Sequence, residues 1–383
     1  MLRRRSHGEK FMKAIVFPGQ GSQVKGMGET LFDEYPDLTK IADDILGYSI
    51  KALCLQDPNK ELNKTQFTQV AIYVVNALSY YKYIDEGGEQ PDFFAGHSLG
   101  EFNALLAAGS FSFETGLRLV KKRGELMSQA AGGGMAAILN IEKEKIEQML
   151  SDNKLDKIEV ANHNTLTQSV ISGDTKQLAQ AQTLFETGNA MYVPLNTSGA
   201  FHSRFMVDAQ QAFTNYVADF QLSVPKIPII ANVSARQYQQ DNVVTNITTQ
   251  ISSAVKWFDS VKYMIDQGVT DFIELGHNPV LTNIIGKIKR ELGVENKPAP
   301  AKPHVTPLQN VAIEKRADVA KAARDKVAQW NNSHAVGAVV KSTLASYDEL
   351  TTRTPAVVLF GHRAVVYMQG YNGYFSLDEL MAS

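Results

Sequence analysis

The pentapeptide Gly96-His97-Ser98-Leu99-Gly100 is the stretch of this 383-residue chain with the clearest chemical use. Before it, Pro91-Asp92-Phe93-Phe94-Ala95 reads as a short buried strand; after it, Glu101 to Ala108 reads as a helix. A serine between two glycines at a strand-to-helix turn is the setting of a nucleophile elbow. Side chains flanking so tight a turn would collide, and the hydroxyl stands exposed at a helix N-terminus. Backbone N–H groups and the positive end of the helix dipole favour a developing oxyanion there. An ordinary tight turn is the plainer alternative.

A serine hydroxyl is a weak nucleophile without a base. His202, in Ser198-Gly199-Ala200-Phe201-His202-Ser203, falls between a strand end and a helix start and is the strongest candidate; a capping or solvated histidine is the plainer reading. The ring of His97, next to Ser98, is expected to point away, and His163 and His277 are rival bases in loops. Gln20 sits between two glycines after the first strand, where an open backbone can bring an amide donor to a reacting carbonyl; the N–H of Leu99 supplies a second. A phosphate-cradling loop does not fit, because the next glycine is Gly26 and no Lys-Ser/Thr pair follows. Arg123, on the helix after the elbow, is either a surface charge or a clamp for an acidic acyl group.

The elements around these residues alternate. Ala14–Phe17 reads as a buried strand, helical segments run to about Tyr83, and Ser112 can cap a helix that extends to about Gln129. This predicts a parallel sheet covered on both faces. After Gly132-Gly133-Gly134 the pattern changes to β-α-β-β-α-β: strand Met135–Leu139, helix Lys143–Ser151, strands Ile158–Ala161 and Gln168–Ser172, helix Thr175–Thr187 and strand Met191–Leu195. That order is the ferredoxin-like plan. The chain then returns through a helix after His202, the strand Ile227–Ala231 and the strand Asp271–Leu275. Pro298, Pro300, Pro303 and Pro307 mark a semi-rigid linker or extended strap, Glu314–Trp330 a charged helix, and Val336–Leu380 a run of short strands.

Composition narrows the function classes. Hydrophobic residues make up 44% and charged residues 20%, with a net charge of −2, so bulk charge points to neither nucleic acid nor membrane. The single cysteine, Cys54, excludes an intrachain disulfide and suits a reducing cytoplasm. Histidine spacing suggests no metal site, and no apolar run reaches transmembrane length. Met1–Lys10 is basic without the apolar stretch of a signal peptide, and reads as a disordered leader, an appended remnant or a short basic targeting arm.

Five motifs occur in order: Phe17-Pro18-Gly19-Gln20-Gly21-Ser22-Gln23, Gly96-His97-Ser98-Leu99-Gly100-Glu101, Lys122-Arg123-Gly124-Glu125-Leu126-Met127, Ala200-Phe201-His202-Ser203 and Glu274-Leu275-Gly276. Together they resemble the malonyl-CoA:acyl carrier protein transacylases of fatty acid and polyketide synthesis, over about residues 12–290. The resemblance implies ping-pong acyl transfer: Ser98 as nucleophile, His202 as base, Gln20 and the Leu99 N–H at the oxyanion, and Arg123 on the malonyl carboxylate. It also implies that a backbone carbonyl orients the base, with Ala254-Val255-Lys256-Trp257 as the matching stretch. His97, Asn162, Met127 and Phe201 are assigned to the substrate pocket; Phe201 resembles the malonyl-selective form, whose ring would crowd a 2-methyl branch. No bound cofactor is implied. Malonyl-CoA is the substrate, and phosphopantetheine arrives on the partner, an acyl carrier protein or a carrier domain of a polyketide synthase.

The expected architecture is thus an α/β-hydrolase-like parallel-sheet core (residues 12–132 and 204–294), an inserted ferredoxin-like subdomain (133–203), a linker and helix (295–335) and a small β-rich module (336–383). The tail looks like the trailing segment of discrete acyltransferases that serve polyketide synthases in trans. A monomeric, cytoplasmic enzyme is expected. The alternatives are the same transfer in fatty acid synthesis, an editing hydrolase, and, for the tail, a non-catalytic docking module.

Overall fold

The computed structural model describes residues 12–130, 132–186, 190–294, 322, 324–342, 349–359, 363–369 and 374–382. By its contacts the chain divides into two compact units, Met1–Lys297 and Pro298–Ser383.

The first unit opens with β1 (Met12–Phe17), then α1 (Leu31–Glu34), α2 (Pro36–Leu46), α3 (Ile50–Leu55) and α4 (Thr65–Asp85), which lead to β2 (Phe93–Gly96), α5 (Gly100–Ala107) and α6 (Phe113–Gln129). Next come β3 (Gly134–Leu139), α7 (Lys143–Asp152), β4 (Ile158–Thr165), β5 (Gln168–Gly173), α8 (Thr175–Phe185) and β6 (Met191–Leu195). The unit closes with α9 (Val207–Val217), β7 (Ile229–Ile230), α10 (Val243–Thr249), α11 (Trp257–Asp266), β8 (Val269–Glu274) and α12 (Val280–Glu291).

Two sheets result. The first is parallel, in the order β7-β2-β1-β8. Its central strand is apolar on both faces, and Ala14, Ile15, Val16 and Phe17 are all fully buried, as a sheet covered on both sides requires. The chain therefore has an α/β fold with a parallel sheet, as expected. The second sheet is antiparallel, in the order β4-β5-β3-β6. Its own core, built on Ile138, Ile146, Ile171, Leu178 and Phe185, seats α7 and α8.

Several boundaries differ from the sequence reading. β7 is two residues long rather than five. Pro228 has no N–H to give, and after Ile230 the chain turns so that the Ala231 N–H reaches the Arg236 carbonyl. β4 instead runs on through Asn162-His163-Asn164-Thr165, a polar run that reads as loop. These four residues are buried, and the His163 N–H bonds to the Val255 carbonyl. His163 is therefore a strand residue, not a loop residue.

The second unit has a helix over residues 324–333 and six short strands: β9 (Val339–Ser342), β10 (Leu350–Thr351), β11 (Val357–Leu359), β12 (Arg363–Tyr367), β13 (Tyr374–Ser376) and β14 (Leu380–Ala382). They form two three-stranded antiparallel sheets, β10-β9-β14 and β11-β12-β13. Val340, Leu350, Val366, Met368 and Leu380 fill the core between them, with Trp330 packed against it. The basic leader, the proline strap, the first part of the charged helix, Gly361-His362 and Gly370–Gly373 lie outside the described residues.

Candidate active site

The elbow is as tight as the glycines demand. A Cβ on Gly96 would lie 1.9 Å from the Gly100 carbonyl carbon, and one on Gly100 would lie 2.0 Å from the Phe17 carbonyl oxygen. Ser98 itself has φ of +51°, a left-handed conformation that costs a non-glycine residue roughly 1–3 kcal/mol and recurs at functional sites.

The elements bring Ser98, His202 and Arg123 to one point. The Ser98 Oγ is 2.8 Å from His202 Nε2 and 3.1 Å from Arg123 Nη2. His202 follows the return from the antiparallel sheet, also with positive φ, of +58°. Its Nδ1 donates to the Gln250 carbonyl at 2.9 Å. A carbonyl only accepts, so the ring proton sits on Nδ1 and Nε2 is free to take the serine proton. Burial and, after it, the Arg123 guanidinium push the imidazole down to about 3. At neutral pH the ring is an uncharged acceptor. The orienting carbonyl corrects the sequence reading: it belongs to Gln250, four residues before Ala254–Trp257. The Val255 carbonyl in that stretch is used by the His163 N–H instead.

Arg123 is 1% exposed and has no carboxylate within salt-bridge distance among the described residues; the buried Glu101 carboxyl acts on it only electrostatically. It donates to Gln69 Oε1 at 2.6 Å and to Gln250 Oε1 at 2.8 Å, and its Nε is buried without a partner. Burial draws its pKa down to about 10, so it keeps its charge at pH 7. A buried cation held by neutral amides has room for one anionic ligand.

Two backbone N–H groups beside the serine are also uncommitted among the described residues. Among the described residues, neither the Leu99 N–H nor the Gln20 N–H donates to a protein acceptor. The Gln20 side chain turns to Thr65, with Nε2 3.5 Å from its Oγ1, so the main chain is the donor that Gln20 has to offer.

A cavity of about 370 Å³ joins these groups. Gln20, His97, Ser98, Leu99, Arg123, Met127, Asn162, Phe201 and His202 all line it. Its opposite wall comes from the antiparallel sheet, through Met135, Ala137, Val170 and Leu195, and from α12 through Val280 and Ile284. The His97 ring reaches the wall but is held by Asn164 Oδ1 at 2.9 Å and by the edge of Trp257. The rival bases are elsewhere: His163 lies against Phe258 and Asp259, and His277 is exposed.

Four residues of the site escaped the sequence reading. Gln250 touches all three principal groups: its carbonyl holds His202, its Oε1 holds Arg123, and its Nε2 donates to the Ser98 carbonyl at 2.8 Å. Gln69 holds Arg123 and donates to Met127 Sδ at 3.4 Å. Asn232 and Glu101 sit beneath the elbow. Glu101, wholly buried, accepts from Tyr238 Oη at 2.7 Å, from the Asn232 N–H at 3.1 Å and from Gln250 Nε2. Burial raises its carboxyl to about 7. Only Glu101, within the elbow motif, carried any signal; an isolated Gln or Asn announces nothing by spacing.

A serine beside a neutral histidine and a buried arginine is a geometry that can hold an acyl group, and comparison with known proteins places the chain among acyl transferases. The chain belongs to the acyl transferase domain family, whose pattern matches residues 14–331, and within it to the malonyl-CoA:acyl carrier protein transacylases. It is 51% identical over 282 residues to the polyketide biosynthesis malonyl CoA-acyl carrier protein transacylase PksC of Bacillus subtilis, a match covering 73% of this chain and 98% of PksC. It is equally 51% identical to the polyketide biosynthesis protein PksE of the same organism, but there the matched region is 73% of this chain and only 37% of PksE. The crystal structure of malonyl CoA-acyl carrier protein transacylase from Burkholderia pseudomallei superposes with a TM-score of 0.72 at 53% identity, over 73% of this chain and 99% of that one.

Proposed function

We propose that the chain transfers malonyl from malonyl-CoA to the phosphopantetheine thiol of an acyl carrier protein, by way of a malonyl ester on Ser98, and that its carriers belong to a polyketide synthase. One observation carries this reading: the Ser98 hydroxyl lies between a neutral histidine at 2.8 Å and a buried arginine at 3.1 Å that is held by side-chain amides, with no carboxylate in direct contact among the described residues. The first neighbour makes the serine a nucleophile. The second makes the acyl group it accepts an acid.

Ser98 Oγ attacks the thioester carbonyl while His202 Nε2 takes its proton. The oxyanion forms against the Leu99 and Gln20 N–H groups, donors that need no reorganisation. The C–S bond breaks, and the CoA thiol leaves with the proton from His202. Malonyl remains as an ester, its free carboxylate on Arg123. The carrier thiol then enters, gives its proton to His202 and attacks the ester carbonyl; the proton returns to Ser98 as the C–O bond breaks. The Gln250 carbonyl keeps the imidazole in one tautomer throughout and stabilises the imidazolium formed at each step.

The strand order and direction of β3 to β6 support a ferredoxin-like subdomain over 133–203, inserted into an α/β-hydrolase-like body of 12–132 and 204–294. No described helix is long and apolar enough to cross a membrane. A cytoplasmic setting suits the proposed reaction because the carrier thiol has to stay reduced to accept the acyl group. The polyketide assignment draws on the resemblance to PksC.

The test is intact mass after brief exposure to malonyl-CoA, with and without carrier protein. A malonyl adduct that moves to the carrier is expected. An adduct lost to water at the same rate with or without carrier would replace transfer by editing hydrolysis.

A further inference from the structure

We propose that Asn232 is a positioning residue for this transfer, a clamp whose side-chain amide holds the nucleophile elbow in its strained shape; the inference rests on the function proposed above. Asn232 is 1% exposed and lies two residues beyond β7. Its Oδ1 accepts the Ser98 N–H at 2.7 Å, and its Nδ2 donates to the Gly96 carbonyl at 2.7 Å. The two bonds bracket His97 and fall on either side of the point where β2 becomes the elbow.

The register of the sheet explains why an amide is needed. β7 pairs with β2 in parallel, Phe94 opposite Ile229 and Ala95 opposite Ile230. The ladder then ends, because the chain after Ile230 turns away. That leaves the Gly96 carbonyl and the Ser98 N–H with no strand partner on the β7 side. The Asn232 side chain has the same pair of groups as a peptide unit, one C=O and one N–H, and supplies the missing rung. A carboxylate would keep only the acceptor, and alanine would keep neither.

The residue is itself held from both sides. Its backbone N–H donates to the Glu101 carboxyl at 3.1 Å, and its carbonyl accepts the Lys256 N–H at 3.0 Å. Glu101 also holds Gln250, which carries His202 and Arg123. The clamp therefore ties the direction of the Ser98 hydroxyl, and of the Leu99 N–H one residue on, to the scaffold that places the base. Both half-reactions use that hydroxyl oxygen and that N–H, whereas binding of malonyl-CoA uses Arg123 and the cavity wall.

The experiment measures the rate constants for loading from malonyl-CoA and for unloading to carrier protein, per molecule of enzyme able to load, in Asn232→Asp and Asn232→Ala. A displacement of about 1 Å at a reacting group costs on the order of 10² in rate. The expected result is that both rate constants fall together, by about that factor in Asn232→Ala and less in Asn232→Asp, which keeps the acceptor for Ser98, with KM for malonyl-CoA nearly unchanged. If a variant folds poorly, the loadable fraction shrinks, and the rate constants of the surviving fraction still decide. Wild-type rate constants in that fraction would overturn the clamp and leave Asn232 a stabilising residue only. A wild-type enzyme that never forms a malonyl ester on Ser98 would instead overturn the proposed function, a separate result.

Discussion

The parallel sheet and the antiparallel sheet face each other across one cavity but contribute different things to it. The parallel-sheet side supplies the groups to which the proposed function gives reacting or charged roles: Ser98 just after β2, Gln20 after β1, and Arg123 on α6. These groups are fixed by a buried polar network in which Gln250, Asn232, Gln69 and Glu101 each make two or more hydrogen bonds. The antiparallel sheet supplies mostly surface, chiefly Met135, Ala137, Val170 and Leu195. One side is preorganised for chemistry, and the other shapes what can sit there. His202, the proposed base, lies on the connection between them.

Mutations on the two sides should therefore separate in kinetics. The largest effect is expected on the parallel side, where Ser98→Ala removes the acyl-accepting atom and turnover. His202→Ala should follow, with kcat down by about 10²–10⁴-fold; single-turnover loading checks it. Arg123→Ala should cost malonyl transfer one to two powers of ten more than acetyl transfer, as expected for one lost charged hydrogen-bonding partner of about 1.5–3 kcal/mol. Equal losses for the two acyl groups would make Arg123 structural and blur the division. Phe201→Ala should raise methylmalonyl transfer relative to malonyl by roughly 10-fold, within the 1–3 kcal/mol a methyl group can command. Val170→Ala should change KM by less than about 10-fold and leave kcat alone; a fall in kcat comparable to that of Arg123→Ala would show that the wall also positions the reacting groups.

Protonation of His202 should not limit loading over a wide range of acid. The base is active when neutral, and its pKa in the free enzyme is pushed down to about 3. kcat/KM reports free-enzyme pKa values, so no His202 limb is expected between pH 8 and about 5. A limb near the ordinary histidine value of about 6.5 that persists in Glu101→Gln would mean that His202 is far less shielded than its burial indicates; one that vanishes in that variant belongs to Glu101, whose carboxyl burial raises to about 7.

The sequence made the parallel side the more readable of the two. A nucleophile elbow needs two glycines at fixed offsets, and a parallel strand buried on both faces is a continuous apolar run, so β1, β2 and Ser98 stand out in one chain. Arg123, His202 and Gln20 gained their meaning from order along the chain and from resemblance. Asn232 and Gln250 stayed hidden because their work depends on side-chain amides meeting across 134 and 152 residues of chain, a relation no local spacing encodes. The polar end of β4 was misread as loop for a related reason. Asn162 and Asn164 line the site cavity rather than the core, so the usual apolar sign of a strand is absent.

The most direct test of the account is rapid-quench peptide mapping after malonyl-CoA exposure, in the wild type and in Ser98→Ala. Malonyl is expected on the peptide carrying Ser98 in the wild type and on no peptide in the variant. Malonyl on another residue, or a variant that still loads, would contradict it.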